Sequence, residues 1–219
     1  PNELVLAGPD RVVVTEGDDL DIEVSGDADA VAALRFSLSD ETLAISRESD
    51  WKGSGIATVR VTTPSLTTLV LAGSGDIDAE RMSGAANVTV AGSGTVKIAR
   101  LEAESLDLTI AGSGDITASG SAGSLDLTVA GSGKAAMANL EVDRAEVSIA
   151  GSGDAEFASD GPVEASIMGS GTVTVNGNAD CTVSSMGSGK LRCRPAATKT
   201  SEASDESEAA SATTVEETD

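Results

Sequence analysis

Apolar and polar residues alternate in short bursts along most of this chain, and a Gly-Ser-Gly triplet follows each burst. Counting back from the first glycine, the second residue is Leu71, Val90, Ile110, Val129, Ile149, Ile167 or Ser185. The fourth is Leu69, Val88, Leu108, Leu127, Val147, Ala165 or Val183. The sixth is Thr67, Ala86, Leu106, Leu125, Ala145, Val163 or Cys181. The third, between the apolar positions, is Val70 and then Thr or Ser throughout (Thr89, Thr109, Thr128, Ser148, Ser166, Ser184). Period two of this kind marks a β-strand with one buried face. The pattern resumes beyond the triplet. Ile77, Val96, Ile116, Ala135, Ala155, Val173 and Leu191 stand four residues past the first glycine, and Ala79, Ile98, Ala118, Met137, Phe157, Val175 and Cys193 stand six past it. Each unit is therefore predicted to be strand, glycine bend, strand and polar return.

The unit repeats. Triplets start at Gly53, Gly73, Gly92, Gly112, Gly131, Gly151, Gly169 and Gly187, at spacings of 20, 19, 20, 19, 20, 18 and 18 residues. The triplet at Gly53 lacks the flanking pattern and is set aside. In the other seven, both glycines are read as corners, because glycine turns where a side chain would collide. The first of each pair is Gly73, Gly92, Gly112, Gly131, Gly151, Gly169 or Gly187, and the second is Gly75, Gly94, Gly114, Gly133, Gly153, Gly171 or Gly189. One such unit cannot bury its apolar face alone, whereas stacked units can. The expected fold is an all-β, single-stranded parallel β-helix with about 19 residues per coil. A 39-residue coil with two corners is the rival. The residue after each triplet separates the two: Asp76, Thr95, Asp115, Lys134, Asp154, Thr172, Lys190. With one triplet per coil, no two acids are stacked neighbours, and aspartates lie ~9.6 Å apart instead of ~4.8 Å. The short coil is the expectation.

Residues 1–50 differ from the repeat and are expected to form an N-terminal β cap or solenoid start, followed by the repeat β-helix at 51–194. Strands are predicted at Arg11–Thr15, Leu20–Ser25, Arg35–Leu38 and Leu43–Arg47, with a short helical turn near Asp29–Leu34. An atypical terminal unit is what a solenoid needs to cover its exposed end. Residues 195–219 are Ser, Ala, Thr, Glu and Asp for the most part, a composition that cannot bury enough surface to fold, and are expected to be an acidic disordered tail.

Composition narrows the interior. Aromatics make up 1% of 219 residues, namely Phe36, Trp51 and Phe157, so the core is built from Val, Ile, Leu and Ala, which suits a narrow regular interior. Sixteen of the 24 glycines sit in triplets, which makes glycine positional here and not a sign of disorder. The net charge of −22 repels nucleic-acid phosphate and anionic membrane surfaces. No apolar run approaches the ~20 residues of a membrane-spanning helix. The sequence starts at Pro1, consistent with a removed secretory signal.

The segment Val59-Arg60-Val61-Thr62-Thr63-Pro64-Ser65-Leu66, followed by Leu71-Ala72-Gly73-Ser74-Gly75-Asp76-Ile77, resembles the auto-transporter adhesin head, or GIN, domain family. Val12-Val13-Val14, Gly17, Ile22–Asp27 and Leu43-Ala44-Ile45 resemble its N-terminal part. The resemblance covers Val12 to Cys193. It implies a β-helical bacterial domain outside the cytoplasm, in the periplasm or at the cell surface, with no catalytic residues to carry over. Right-handed coiling is expected by analogy with that family and with parallel crossovers generally.

Few groups offer chemistry. Gly131-Ser132-Gly133-Lys134 runs into strand residues and lacks the helix N-terminus of a phosphate loop. Nonapeptide calcium rolls have half this period. The cation candidate is a column five residues before the triplet, Asp107, Asp126, Glu146 and Glu164, whose oxygens suit Ca²⁺ if the coils are in register; the plainer reading is a solvated acidic face. No other cofactor is expected. Histidine and tyrosine are absent, which leaves Asp, Glu and Lys as general bases, and the triplet serines have no base beside them. Trp51 is read as a packing residue at the cap. Cys181 and Cys193 fall in two inward columns of the last coil and are expected to form a disulfide, which belongs to an oxidising compartment. The functional expectation is an exported, non-enzymatic structural or adhesin-like module acting on a surface glycan or protein. A sensing or ligand-binding module and a carbohydrate-active β-helix enzyme are the alternatives. A monomer, or self-association by stacking of coil ends, is expected.

Overall fold

The computed structural model describes residues 1–64 and 66–195. The strands, in chain order, begin with β1 (Glu3–Ala7), β2 (Arg11–Glu16) and β3 (Asp21–Gly26), then helix α1 (Ala28–Ala32), β4 (Leu34–Ser39), β5 (Thr42–Arg47) and β6 (Ala57–Thr63). The repeat follows as β7 (Leu66–Gly73), β8 (Asp76–Gly92), β9 (Thr95–Gly112), β10 (Asp115–Ala122), β11 (Leu125–Gly131), β12 (Lys134–Val142), β13 (Ala145–Gly151), β14 (Asp154–Ser159), β15 (Pro162–Gly169), β16 (Thr172–Asn176), β17 (Asp180–Gly187) and β18 (Lys190–Arg194). The predicted tail, 195–219, lies outside the described residues apart from Pro195.

Every coil stacks directly on the next. Gly73 is opposite Gly92, then Gly112, Gly131, Gly151, Gly169 and Gly187. The fold is therefore a parallel β-solenoid with one triplet per coil of about 19 residues. The column after the triplet runs Arg11, Asp76, Thr95, Asp115, Lys134, Asp154, Thr172, Lys190, so stacked acids are kept apart. Strands before the triplet form a first face and strands after it a second. A short third stretch pairs Met82 with Leu101 and Leu101 with Gly120. The inward columns make one continuous core, and the bulkiest member, Phe157, is fully buried opposite Val175.

The two glycines of a triplet do different work at the corner. At the first, φ is positive: Gly92, Gly112, Gly131, Gly151 and Gly169 lie between +126° and +132°. A Cβ on Gly131 would sit 2.2 Å from the carbonyl oxygen of Gly112, one coil below. That oxygen accepts the Ser132 amide at 2.8 Å, so the backbones are bonded to each other at the point of closest approach. Side chains are excluded there by conformation and by space together. The second glycine has no positive φ, so at its position space alone excludes a side chain. A Cβ on Gly94 would meet the Gly75 carbonyl, and one on Gly171 the Gly153 carbonyl. On Gly114, Gly153 and Gly189 it would run first into the core side chains Val90, Val129 and Ile167.

The N-terminal coil departs from chain order. β1 lies between β5 and β7, and β2 between β6 and β8, all parallel. Residues 3–16 are thus interleaved between a coil made by β5–β6 and the first repeat coil. Gly8-Pro9-Asp10 stands where the triplet belongs, with Gly8 accepting from Gly75 at 3.0 Å and Asp10 accepting from Asp76 at 3.0 Å through their carbonyl oxygens. The triplet at Gly53 lies outside any strand, beside Trp51. Beyond the β5–β6 coil, β4 adds to β5 and β3 to β6, both antiparallel. α1, capped by the Asp27 carboxylate bonding to the Asp29 and Ala30 amides, joins them.

Asp10 ties the interleaved coil in place. It is 1% exposed, and its carboxylate accepts from Arg47 Nε at 2.7 Å, from Arg47 Nη2 and from the Ala57 amide at 2.8 Å. Arg47 also donates to the Gly55 carbonyl and stacks 3.7 Å from the centre of the Trp51 ring. The bond to Asp10 raises the Arg47 pKa above its ordinary value despite burial. Asp10→Ala leaves a buried guanidinium without its counter-charge and should destabilise by about 3–5 kcal/mol, read by chemical denaturation. Gly131→Ala combines positive φ with a backbone clash and should cost more than about 2 kcal/mol. Gly84→Ala, at φ +78° with open space around it, should cost only about 1 kcal/mol. Equal losses at the two glycines would refute the steric account.

Candidate functional site: the carboxylate groove of the first face

Asp107 (β9), Asp126 (β11), Glu146 (β13) and Glu164 (β15) are paired neighbour to neighbour across four coils, and all are exposed. Their order follows from strand alternation: each sits one residue outward of a buried Leu106, Leu125, Ala145 or Val163. Asn87 precedes them in the column and Thr182 follows. Two positions earlier, where the polar return enters the first face, stand Ser105, Ser124, Arg144, Pro162 and Asp180. The two columns enclose a groove of ≈ 550 Å³ running along the stack. Arg144 is its one base against five acids among the lining residues. A side chain recurs at each ~4.8 Å step, so the groove presents hydrogen-bond acceptors at a constant interval.

The four carboxylates share a column without converging. Among the described residues no group of three or more His, Cys, Asp or Glu is placed to hold a metal ion. What the arrangement can do is accept hydrogen bonds and ion pairs from an extended, donor-rich partner.

Cys181 and Cys193 are joined in a disulfide that ties β17 to β18 in the last described coil. The fourteen triplet glycines named from sequence stand in two stacked columns at the corner, away from the groove. Sequence reading missed Asp10, Arg47 and the corner at Gly8. The signal for that corner was present: Leu4-Val5-Leu6-Ala7-Gly8 has the same pattern as Leu69-Val70-Leu71-Ala72-Gly73. No described helix is long and apolar enough to cross a membrane.

Residues 1–179 match the family described as "Putative auto-transporter adhesin, head GIN domain". The chain belongs to this GIN-domain family. Solved structures share the fold. One from Bacteroides fragilis NCTC 9343, described as a "putative adhesin", superposes with a TM-score of 0.80 at 22% identity, covering 88% of this chain and 92% of that one. One from Parabacteroides distasonis ATCC 8503, described as a "putative lipid binding protein", gives 0.68 at 23% identity over 88% and 92%. A third, a "putative adhesin" from Parabacteroides merdae ATCC 43184, gives 0.66 at 18% over 88% and 91%. A comparison with curated proteins finds no match. At these identities the solved structures speak to fold alone.

Solenoid coils unfold semi-independently because each contacts only its neighbours. Reducing Cys181–Cys193 should therefore raise hydrogen exchange in β17 and β18 while β9 to β13 keep their protection. Loss of protection throughout would contradict this.

Proposed function

We propose that this protein is an exported, non-enzymatic, adhesin-like module of the bacterial envelope, and that it contacts its target with the first face at the carboxylate groove. The observation that carries this reading is the register of Asp107, Asp126, Glu146 and Glu164. It turns four separate residues into a periodic acceptor rail on a rigid sheet. Such a rail fits an extended partner offering hydroxyls or amines, as a surface glycan or a basic protein segment does. A rail also suits adhesion better than turnover, since its groups are spread along the stack instead of gathered on one bond. Membership of the GIN-domain family supports the adhesive reading, and the disulfide supports a location outside the cytoplasm.

Lipid binding, the property for which the P. distasonis protein is named, would bring anionic headgroups against five acids, which charge disfavours. The test is immobilised protein on a glycan array, with anionic vesicles and polylysine as companions. Asp126→Asn with Glu146→Gln should weaken binding by at least about tenfold with an unchanged melting temperature. Equal binding by the variant would remove the groove from the account, and cleavage of a bound glycan would replace adhesion with catalysis.

A further inference from the structure

We propose that the two ends of the solenoid are complementary halves of one interface, through which copies of this chain join head to tail into a filament. Six of the seven exposed large apolar residues described belong to an end: Val24, Phe36, Leu38 and Ile56 are in the antiparallel layer or the β5–β6 connection, while Val183 and Met186 are in the last coil. The seventh, Met168, faces outward from β15 in the coil before the last. Each end also leaves two strand edges open among the described residues: β3 pairs only with β6, β4 only with β5, β17 only with β15, and β18 only with β16. Open edges of this kind are templates for another chain.

The columns that run through the molecule specify how the ends meet. On the first face, the inward column from Leu38 through Leu43, Leu4 and Leu69 ends at Val183. Continued into a second copy, it sets Val183 of one against Leu38 of the next, and β17 runs antiparallel to β4. On the second face, the inward column that contains Val24 and Val59 ends at Leu191. Continuing it pairs β18 with β3 antiparallel, Leu191 against Val24. The same register places Arg192 beside Glu23 and Arg194 beside Asp21. Both halves therefore extend existing sheets, bury side chains that already point inward, and match opposite charges.

Charge selects this partner over others. Residues 16–50 hold eleven acids and two bases, whereas the last coil, 180–194, holds one acid and the bases Lys190, Arg192 and Arg194. Two last coils meeting face to face would set these bases against each other. The acidic segment 196–219 matches the bases, but apart from Val215 it has only alanine as an apolar residue and cannot continue the columns at Val183 and Leu191. A head-to-tail contact between identical copies is heterologous, and where the rotation does not close a ring it grows without limit.

Sedimentation velocity of the full chain across a concentration series, at about 0.15 M salt to screen the overall negative charge, tests this. The weight-average size should rise without a plateau. Arg192→Glu with Arg194→Glu should weaken association by at least about tenfold, and adding Asp21→Arg with Glu23→Arg to that variant should restore it. The restoring variant separates a lost contact from a misfolded end. A monomer at every concentration would overturn the proposal, as would growth that stops at a dimer. Assembly only by a chain ending at Pro195 would assign the open end to the acidic segment and overturn it equally.

Discussion

The structure depends on backbone meeting backbone at the glycine corner. Coils can stack at β-sheet spacing only where nothing projects between them, and where triplet stacks on triplet the carbonyl of one coil lies within 2.1–2.4 Å of where the next coil's Cβ would be. Removing that atom lets the serine amides from Ser93 to Ser188 bond to the glycine carbonyl one coil below. Once the corners are in register, the strand positions flanking them on both faces are aligned as well, and register shifts in the return segment absorb the differences in coil length. The inward columns become a continuous core of small branched side chains, and the outward columns become ladders. This is why a protein with 1% aromatic residues can be well packed: its interior is narrow enough for Val, Ile and Leu to fill.

Register that stabilises also exposes like to like. The second face meets this by alternation, with Asp115 between Thr95 and Lys134, and Asp154 between Lys134 and Thr172. The first face does not: from Asp107 to Glu164 four carboxylates are direct neighbours. They are exposed and screened, so the repulsion is modest, but nothing in the core requires it. A feature that the scaffold tolerates without needing is a reasonable place for function, and this contrast between the faces singles out the groove.

Much of the fold was legible because solenoid contacts are nearly local. Period two revealed the strands, and the spacing of the triplets the coil length. The alternation after the triplet decided between coils of about 19 and 39 residues. What could not be read depended on contacts between distant segments. Nothing in β1 or β2 announces that they lie between the β5–β6 coil and β7–β8, because interleaving is a property of chain order in space. The buried bond between Asp10 and Arg47 belongs to the same class, joining residues 37 apart. The corner at Gly8-Pro9-Asp10 was hidden for a simpler reason: it keeps one glycine of the two, and a search keyed to Gly-Ser-Gly passes over it. Trp51, read as a packing residue, is one, though its partner is the Arg47 guanidinium. The ladder of Asp107 to Glu164 was visible in the sequence only as a column. Its groove required the return segment at Ser105, Ser124 and Arg144 to be placed beside it.

The stacking of one corner per coil underlies the core, the ladders and the groove alike, and a distance along the axis tests it directly. Spin labels at Ser74 and Ser188 sit on corners six coil steps apart in this register. Pulsed dipolar spectroscopy should return a backbone separation of about 29 Å. A separation of about 14 Å, the value for two corners per coil, would contradict the architecture and dissolve the acidic rail with it.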